Sequence, residues 1–177
     1  MSQDFEELLA SLNAEKVRYL IGGAHALALH ARPRATKDLD LFVAPTRQNA
    51  ARFLRALAEF FGGKAPSHVS VEVLLDPNLI VQLGVAPIRV DVFSHFGTLT
   101  FAEAWRTRID ARFGSVNAHY LGRAQLIAEK RHFDRPQDRA DLVALGAAPP
   151  RAARDRRRPG HSPRSTSAGG GARRSSR

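Results

Sequence analysis

The chain has 177 residues, 44% hydrophobic and 25% charged, with a net charge of +10 and no cysteine. That is the composition of a globular domain, and it excludes disulfides, thiolate metal sites and a cysteine nucleophile. No run of about 18 apolar residues offers a membrane-spanning helix, and the polar, acidic start Ser2-Gln3-Asp4 is unlike a signal peptide, so a cytoplasmic protein is expected.

Phe5, Leu8, Leu9 and Leu12 have helical spacing and predict an amphipathic helix over 4–13. Val17–Ile21 reads as a strand ended by Gly22-Gly23, and the alanine-rich Ala24–His30 as a helix closed by Pro33. A second strand is predicted over 38–43. Thr46 is set to cap a helix through Phe61, with Phe53, Leu54, Leu57 and Phe61 along one stripe, ended by Gly62-Gly63. Leu79–Leu83 and Ile88–Phe93 read as strands joined by a short turn at Gly84–Pro87. A short helix at Phe101–Arg106 and a strand at Val116–Leu121 follow. Ala124–His132 and Gln137–Leu145 are helices broken at Arg135-Pro136. Strands interleaved with helices predict an α+β (α/β-like) domain, one mixed sheet flanked by helices.

The charge is unevenly distributed. Residues 151–177 hold nine arginines and one aspartate, which leaves about +2 on the first 150. From residue 147 onward the chain is Arg, Pro, Ser and Gly with almost no large apolar side chain. Such a segment buries too little surface to offset its ordering entropy, so 1–146 is expected to be the folded domain and 147–177 a disordered basic tail. The tail is either a solvated extension or a non-specific phosphate-binding arm for RNA or DNA.

The chemistry gathers around Thr36-Lys37-Asp38-Leu39-Asp40-Leu41-Phe42-Val43. Alternate residues of a strand share a face, so Asp38 and Asp40 point the same way with Cα atoms roughly 6.6–7 Å apart. Leu39, Leu41 and Val43 point into the core. Two like charges on one face of a cleft need a counter-charge, and a divalent cation held by oxygen ligands supplies one. A third carboxylate, Asp91, lies in the strand Ile88-Arg89-Val90-Asp91-Val92-Phe93, on the same face as Arg89 and Phe93. Upstream, Leu20-Ile21-Gly22-Gly23-Ala24 runs strand, glycines, helix start. That arrangement offers backbone amides at a positive helix end, where phosphate binds. Arg34, Thr36 and Lys37 precede the pair and either contact phosphate, balance the carboxylates, or form a solvated loop.

Gly22-Gly23, then Asp38-x-Asp40, then Asp91 resembles the polymerase-β-type nucleotidyltransferase superfamily. The blocks "YLIGGAHALALHARPRATKDLDLFV", "LIVQLGVAPIRVDVFSHFGTLTFAEAW" and "LIAEKRHFDRPQDRADLVAL" are similar to small bacterial nucleotidyltransferases, including relatives of toxins from abortive-infection and toxin–antitoxin systems. The resemblance spans 17–145. It implies that Asp38, Asp40 and Asp91 hold a two-ion Mg²⁺ (or Mn²⁺) site and carry catalysis. It also implies that Gly22, Gly23, Arg34, Thr36, Lys37 and Lys130 contact the nucleoside triphosphate. Attack of an acceptor hydroxyl (on tRNA, a protein or a small molecule) at the α-phosphorus would release pyrophosphate. Gly23 stands where many members carry Ser. A toxin or antitoxin protein is a possible partner, and no membrane is. Two other readings compete: a non-catalytic toxin–antitoxin partner, and a metal-dependent phosphohydrolase or nuclease.

Other polar residues have plainer readings. Asp138 favours the first turn of the last helix, and neither it nor Asp141 is read as catalytic. His25 and His30 lie five apart, which does not put them on one helical face as zinc ligands. His95 is a polar loop position. Phe101 and Trp105 are core.

Overall fold

The computed structural model describes residues 3–85 and 88–148. The expected tail from residue 149 onward and the tip of the turn at Ala86-Pro87 lie outside the described residues. The helices are α1 (Gln3–Ala14), α2 (Gly23–His30), α3 (Arg47–Phe60), α4 (Val71–Leu75), α5 (Phe101–Arg106), α6 (Arg123–Phe133) and α7 (Pro136–Ala144). The strands are β1 (Tyr19–Ile21), β2 (Asp38–Val43), β3 (Ile80–Val85), β4 (Ile88–Phe93), β5 (Ile109–Phe113) and β6 (Val116–Tyr120). No described helix is long and apolar enough to cross a membrane.

The strands form one six-stranded mixed sheet in the order β3-β4-β2-β1-β6-β5. β1 pairs antiparallel with β2 and parallel with β6, while β2 pairs parallel with β4. The outer hairpins β3–β4 and β5–β6 are antiparallel. The predicted α+β class holds. Two elements were missed. α4 begins at Ser70, whose hydroxyl accepts the Val73 amide and so replaces one bond the helix start lacks. Its β-branched Val71 and Val73 hid it. β5, IDARF, is mostly exposed and charged, so it carries no clear alternation. The turn expected at Gly84–Pro87 is shorter, because Gly84 and Val85 stay in the β3 ladder opposite Arg89 and Ile88.

The parallel β2–β4 register positions the site. It sets Asp38 opposite Arg89, Asp40 opposite Asp91, and Phe42 opposite Phe93. One face of this strand pair therefore runs from charge at one end to aromatic packing at the other. Phe42 stacks on Phe93 at 5.7 Å and meets Phe96 and Phe101 edge-on, and Phe133 of α6 closes against Phe93. The alternate residues Leu39 and Leu41 are fully buried. Burying both sets fixes the register, since a one-residue slip would exchange aspartates with leucines. Phe101 is core as expected and stacks on Trp105. Trp105 itself is only partly buried, with the guanidinium groups of Arg18 and Arg108 over its ring at 5.1 and 4.3 Å.

Candidate active site

The carboxylates line a cavity of about 110 Å³ between the β2–β4 face, the start of α2, and the α6–α7 hairpin. Gly23, Arg34, Thr36, Asp38, Asp40, Asp91 and Lys130 all border it, so seven of the nine residues singled out from sequence converge. Gly22 and Lys37 do not border it. Gly22 is one residue back, and Lys37 is exposed on the opposite strand parity.

Asp40 lies against the first turn of α2. Gly23 has a φ of +54°, and a Cβ built there would lie 1.8 Å from Asp40 Oδ2. A side chain at 23 would therefore have to displace the Asp40 carboxylate, and the positive φ adds strain for any residue but glycine. Burial pushes the Asp40 carboxyl up to about 6; Lys130 opposes that and Asp91 adds to it.

The amides expected to cradle phosphate have partners within the chain. Gly22 N–H donates to the Asp40 carbonyl at 2.9 Å, and Gly23 N–H donates to both oxygens of Glu129 at 3.2 Å. Glu129 is fully buried at the positive end of α2, where an anion belongs. It occupies the position of a phosphate at those amides. Burial pushes its carboxyl up to about 7, against the pull of Lys130, with Asp40 pushing it further. Sequence reading missed Glu129. The signal was the inward stripe of α6, Leu126, Glu129, Lys130 and Phe133, whose i, i+3, i+4, i+7 spacing carries two charges where an apolar stripe is the rule.

Lys130 borders the cavity but is buried and paired within the chain. Its Nζ lies 3.0 Å from Asp138 Oδ1 and 3.3 Å from Asp141 Oδ2. Burial disfavours its charge, but Glu129, Asp138 and Asp141 outweigh that and hold its pKa above the usual value. Asp138 also accepts the Arg135 amide, the expected role at the start of α7. Arg34 forks onto Asp141, Nε to Oδ1 at 3.0 Å and Nη2 to Oδ2 at 3.1 Å. Burial raises the Asp141 carboxyl, yet Arg34 and Lys130 bring it below the ordinary carboxylate value. Arg34 and Lys130 thus tie the α6–α7 hairpin to the loop before β2. Thr36 folds back locally, its hydroxyl donating to the Asp38 carbonyl.

Arg89 is the second residue missed. Its Nη2 donates to Asp38 Oδ2 at 3.1 Å, and its Nε lies 3.2 Å from Asp91 Oδ1. The Nε contact is close but misaligned, so neither atom makes a hydrogen bond although both are buried. Burial raises the Asp91 carboxyl above its ordinary value; Arg89 opposes this and Asp38 adds to it. The face parity of Arg89 with Asp91 was legible, but its partner Asp38 depends on the cross-strand register.

A divalent metal suits the donor set. Asp38, Asp40 and Asp91 offer only carboxylate oxygens, the chemistry of Mg²⁺ and Mn²⁺, and Asp91 Oδ1 is a buried acceptor with no donor. Convergence is incomplete. Among the described residues no three acidic or histidine side chains surround a common point. Asp40 turns to Gly23, while Arg89 draws Asp38 and Asp91 to itself.

No known family profile matches the chain. No curated protein matches it either. Its fold is similar to the crystal structure of a proposed nucleotidyltransferase from Thermotoga maritima, with 13% identity over 78% of this chain and 88% of that one, and a TM-score of 0.51. The two chains thus share an architecture across largely different sequences.

Proposed function

We propose that this chain is a metal-dependent nucleotidyltransferase of the polymerase-β type, moving a nucleoside monophosphate from a nucleoside triphosphate to an acceptor hydroxyl. The observation that carries it is the register Asp38↔Arg89, Asp40↔Asp91, which sets three carboxylates on one face at the mouth of a cleft. The fold likeness supports the same reading. Asp38, Asp40 and Asp91 would hold Mg²⁺, which when bound offsets charge on the attacking and leaving oxygens.

The chain's own groups have separable roles. Asp91, on the same face as the metal-binding pair, would accept the hydroxyl proton; a carboxyl raised by burial is a better base than an ordinary one. The hydroxyl oxygen bonds to the α-phosphorus, the bond from that phosphorus to the bridging oxygen breaks, and pyrophosphate leaves. The cavity is smaller than the roughly 300–1,000 Å³ of sites that enclose a whole organic ligand. It matches the phosphates, and the nucleoside would sit at the mouth, near Arg135 and Gln137.

The acceptor is proposed to be macromolecular, RNA or protein, because this cavity is too small to enclose an organic acceptor beside the triphosphate. Kinship with the small bacterial enzymes of toxin–antitoxin systems rests on the three sequence blocks alone. The test is incubation with Mg²⁺, each α-labelled nucleoside triphosphate, total tRNA and cell lysate. Label is expected in an acceptor band with wild type and not with Asp38→Asn. Equal labelling by that variant sinks the proposal.

A further inference from the structure

We propose that Arg89 is an internal cation that competes with a divalent ion for Asp38 and Asp91, and that its departure opens the carboxylate site. The inference rests on the metal-dependent reading above. Without a cation, Asp38, Asp40 and Asp91 would face one another as like charges in a half-buried cleft. Arg89 supplies the missing charge from inside the chain, at 3.1 Å from Asp38 and 3.2 Å from Asp91. A guanidinium and an ion bridging the same oxygens exclude each other.

Three features make Arg89 displaceable. Its Nε faces Asp91 Oδ1 without hydrogen-bond alignment, so the hold there is charge attraction alone. Its side chain is 37% exposed, where solvent screening keeps an ion pair weak. Its neighbour across the β3–β4 pair is Gly84, which has no side chain, and β3 is the sheet edge. No side chain of its β3 partner Gly84 stands beside the guanidinium, so its path to solvent would run over that glycine, where it would meet a phosphate. By contrast Arg34 and Lys130 each hold aligned, buried carboxylates, so Arg89 is the cation that moves.

The experiment measures Mn²⁺ binding to the full chain by the loss of free-ion paramagnetic resonance signal, for wild type, Arg89→Gln and Arg89→Lys. Thermal unfolding is run beside it in chelator and in saturating Mn²⁺. Removing the competitor predicts Mn²⁺ binding at least about fivefold tighter in Arg89→Gln, the lower end of ordinary coupling between two ligands. Arg89→Lys, which lacks the fork, falls between. In chelator Arg89→Gln melts lower than wild type, and Mn²⁺ closes that gap. Equal or weaker Mn²⁺ binding in Arg89→Gln overturns the inference and leaves the metal reading standing. Absence of Mn²⁺ binding in all three overturns both. If Arg89→Gln does not fold, Arg89→Lys decides by the same sign.

Discussion

Replacing Lys130 by Met separates a structural cation from a ligand contact. Lys130 is 5% exposed and sits between Asp138 and Asp141, with Glu129 and Asp40 close enough to feel its charge. Methionine keeps the stem and removes the ammonium. Arg34 still serves Asp141, but Glu129 and Asp138 lose their main cationic partner. Removing one partner of a buried pair costs about 3–5 kcal/mol, because the other charge stays buried. For a domain of this size that lowers Tm by about 6–20 °C. The sign of the pH dependence follows. The Glu129 carboxyl, which burial already raises to about 7, has a folded pKa above its unfolded one, so the cost is complete above the folded value and fades as pH falls towards about 4.5. Urea unfolding of wild type and Lys130→Met at pH 7.5 and 5 should show a gap that narrows at the lower pH, and adding Asp138→Asn should recover part of the loss. A deficit below about 1 kcal/mol at pH 7.5, or one that does not change with pH, would refute the reasoning and return Lys130 to the role of a free nucleotide contact.

Gly23→Ala combines left-handed strain, roughly 1–2 kcal/mol, with eviction of the Asp40 carboxylate. Gly62→Ala, at φ +75° with nothing within 4 Å of the added carbon, carries strain alone. Denaturant titration should show the larger loss at Gly23, and only Gly23→Ala should weaken Mn²⁺ binding. Stability itself should rise as pH falls from about 7 towards 4.5, because the ionised form of Glu129 is the costly one in the fold. Thermal melts of Glu129→Gln, which should flatten that slope, test this; an unchanged slope assigns the dependence to other groups.

Much of this site was legible before the fold was known, and the reason is local. Strand alternation put Asp38 with Asp40 and Asp91 with Arg89 from sequence alone. The Gly22-Gly23 pair marked the strand–helix junction where α2 begins. What stayed hidden depended on contacts between distant segments. β2 and β4 are parallel and some 45 residues apart, so nothing in either strand announces that Asp38 faces Arg89. Glu129 meets Gly23 across more than 100 residues of chain. For that reason the amides looked open to phosphate from the sequence, while the fold closes them with a carboxylate. The pairing of Lys130, which the resemblance set against the nucleotide, stayed hidden for the same cause: its partners Asp138 and Asp141 come from the next helix, folded back by the break at Pro136.

The central claim is nucleotidyl transfer at the Asp38, Asp40 and Asp91 face. It is tested most directly by supplying Mg²⁺, an acceptor pool and a nucleoside triphosphate labelled at the α-phosphorus, while counting released pyrophosphate. The predicted result is α-label in the acceptor with one pyrophosphate released per label, both lost in Asp40→Asn. Release of inorganic phosphate without label transfer, or unchanged transfer by Asp40→Asn, would contradict it.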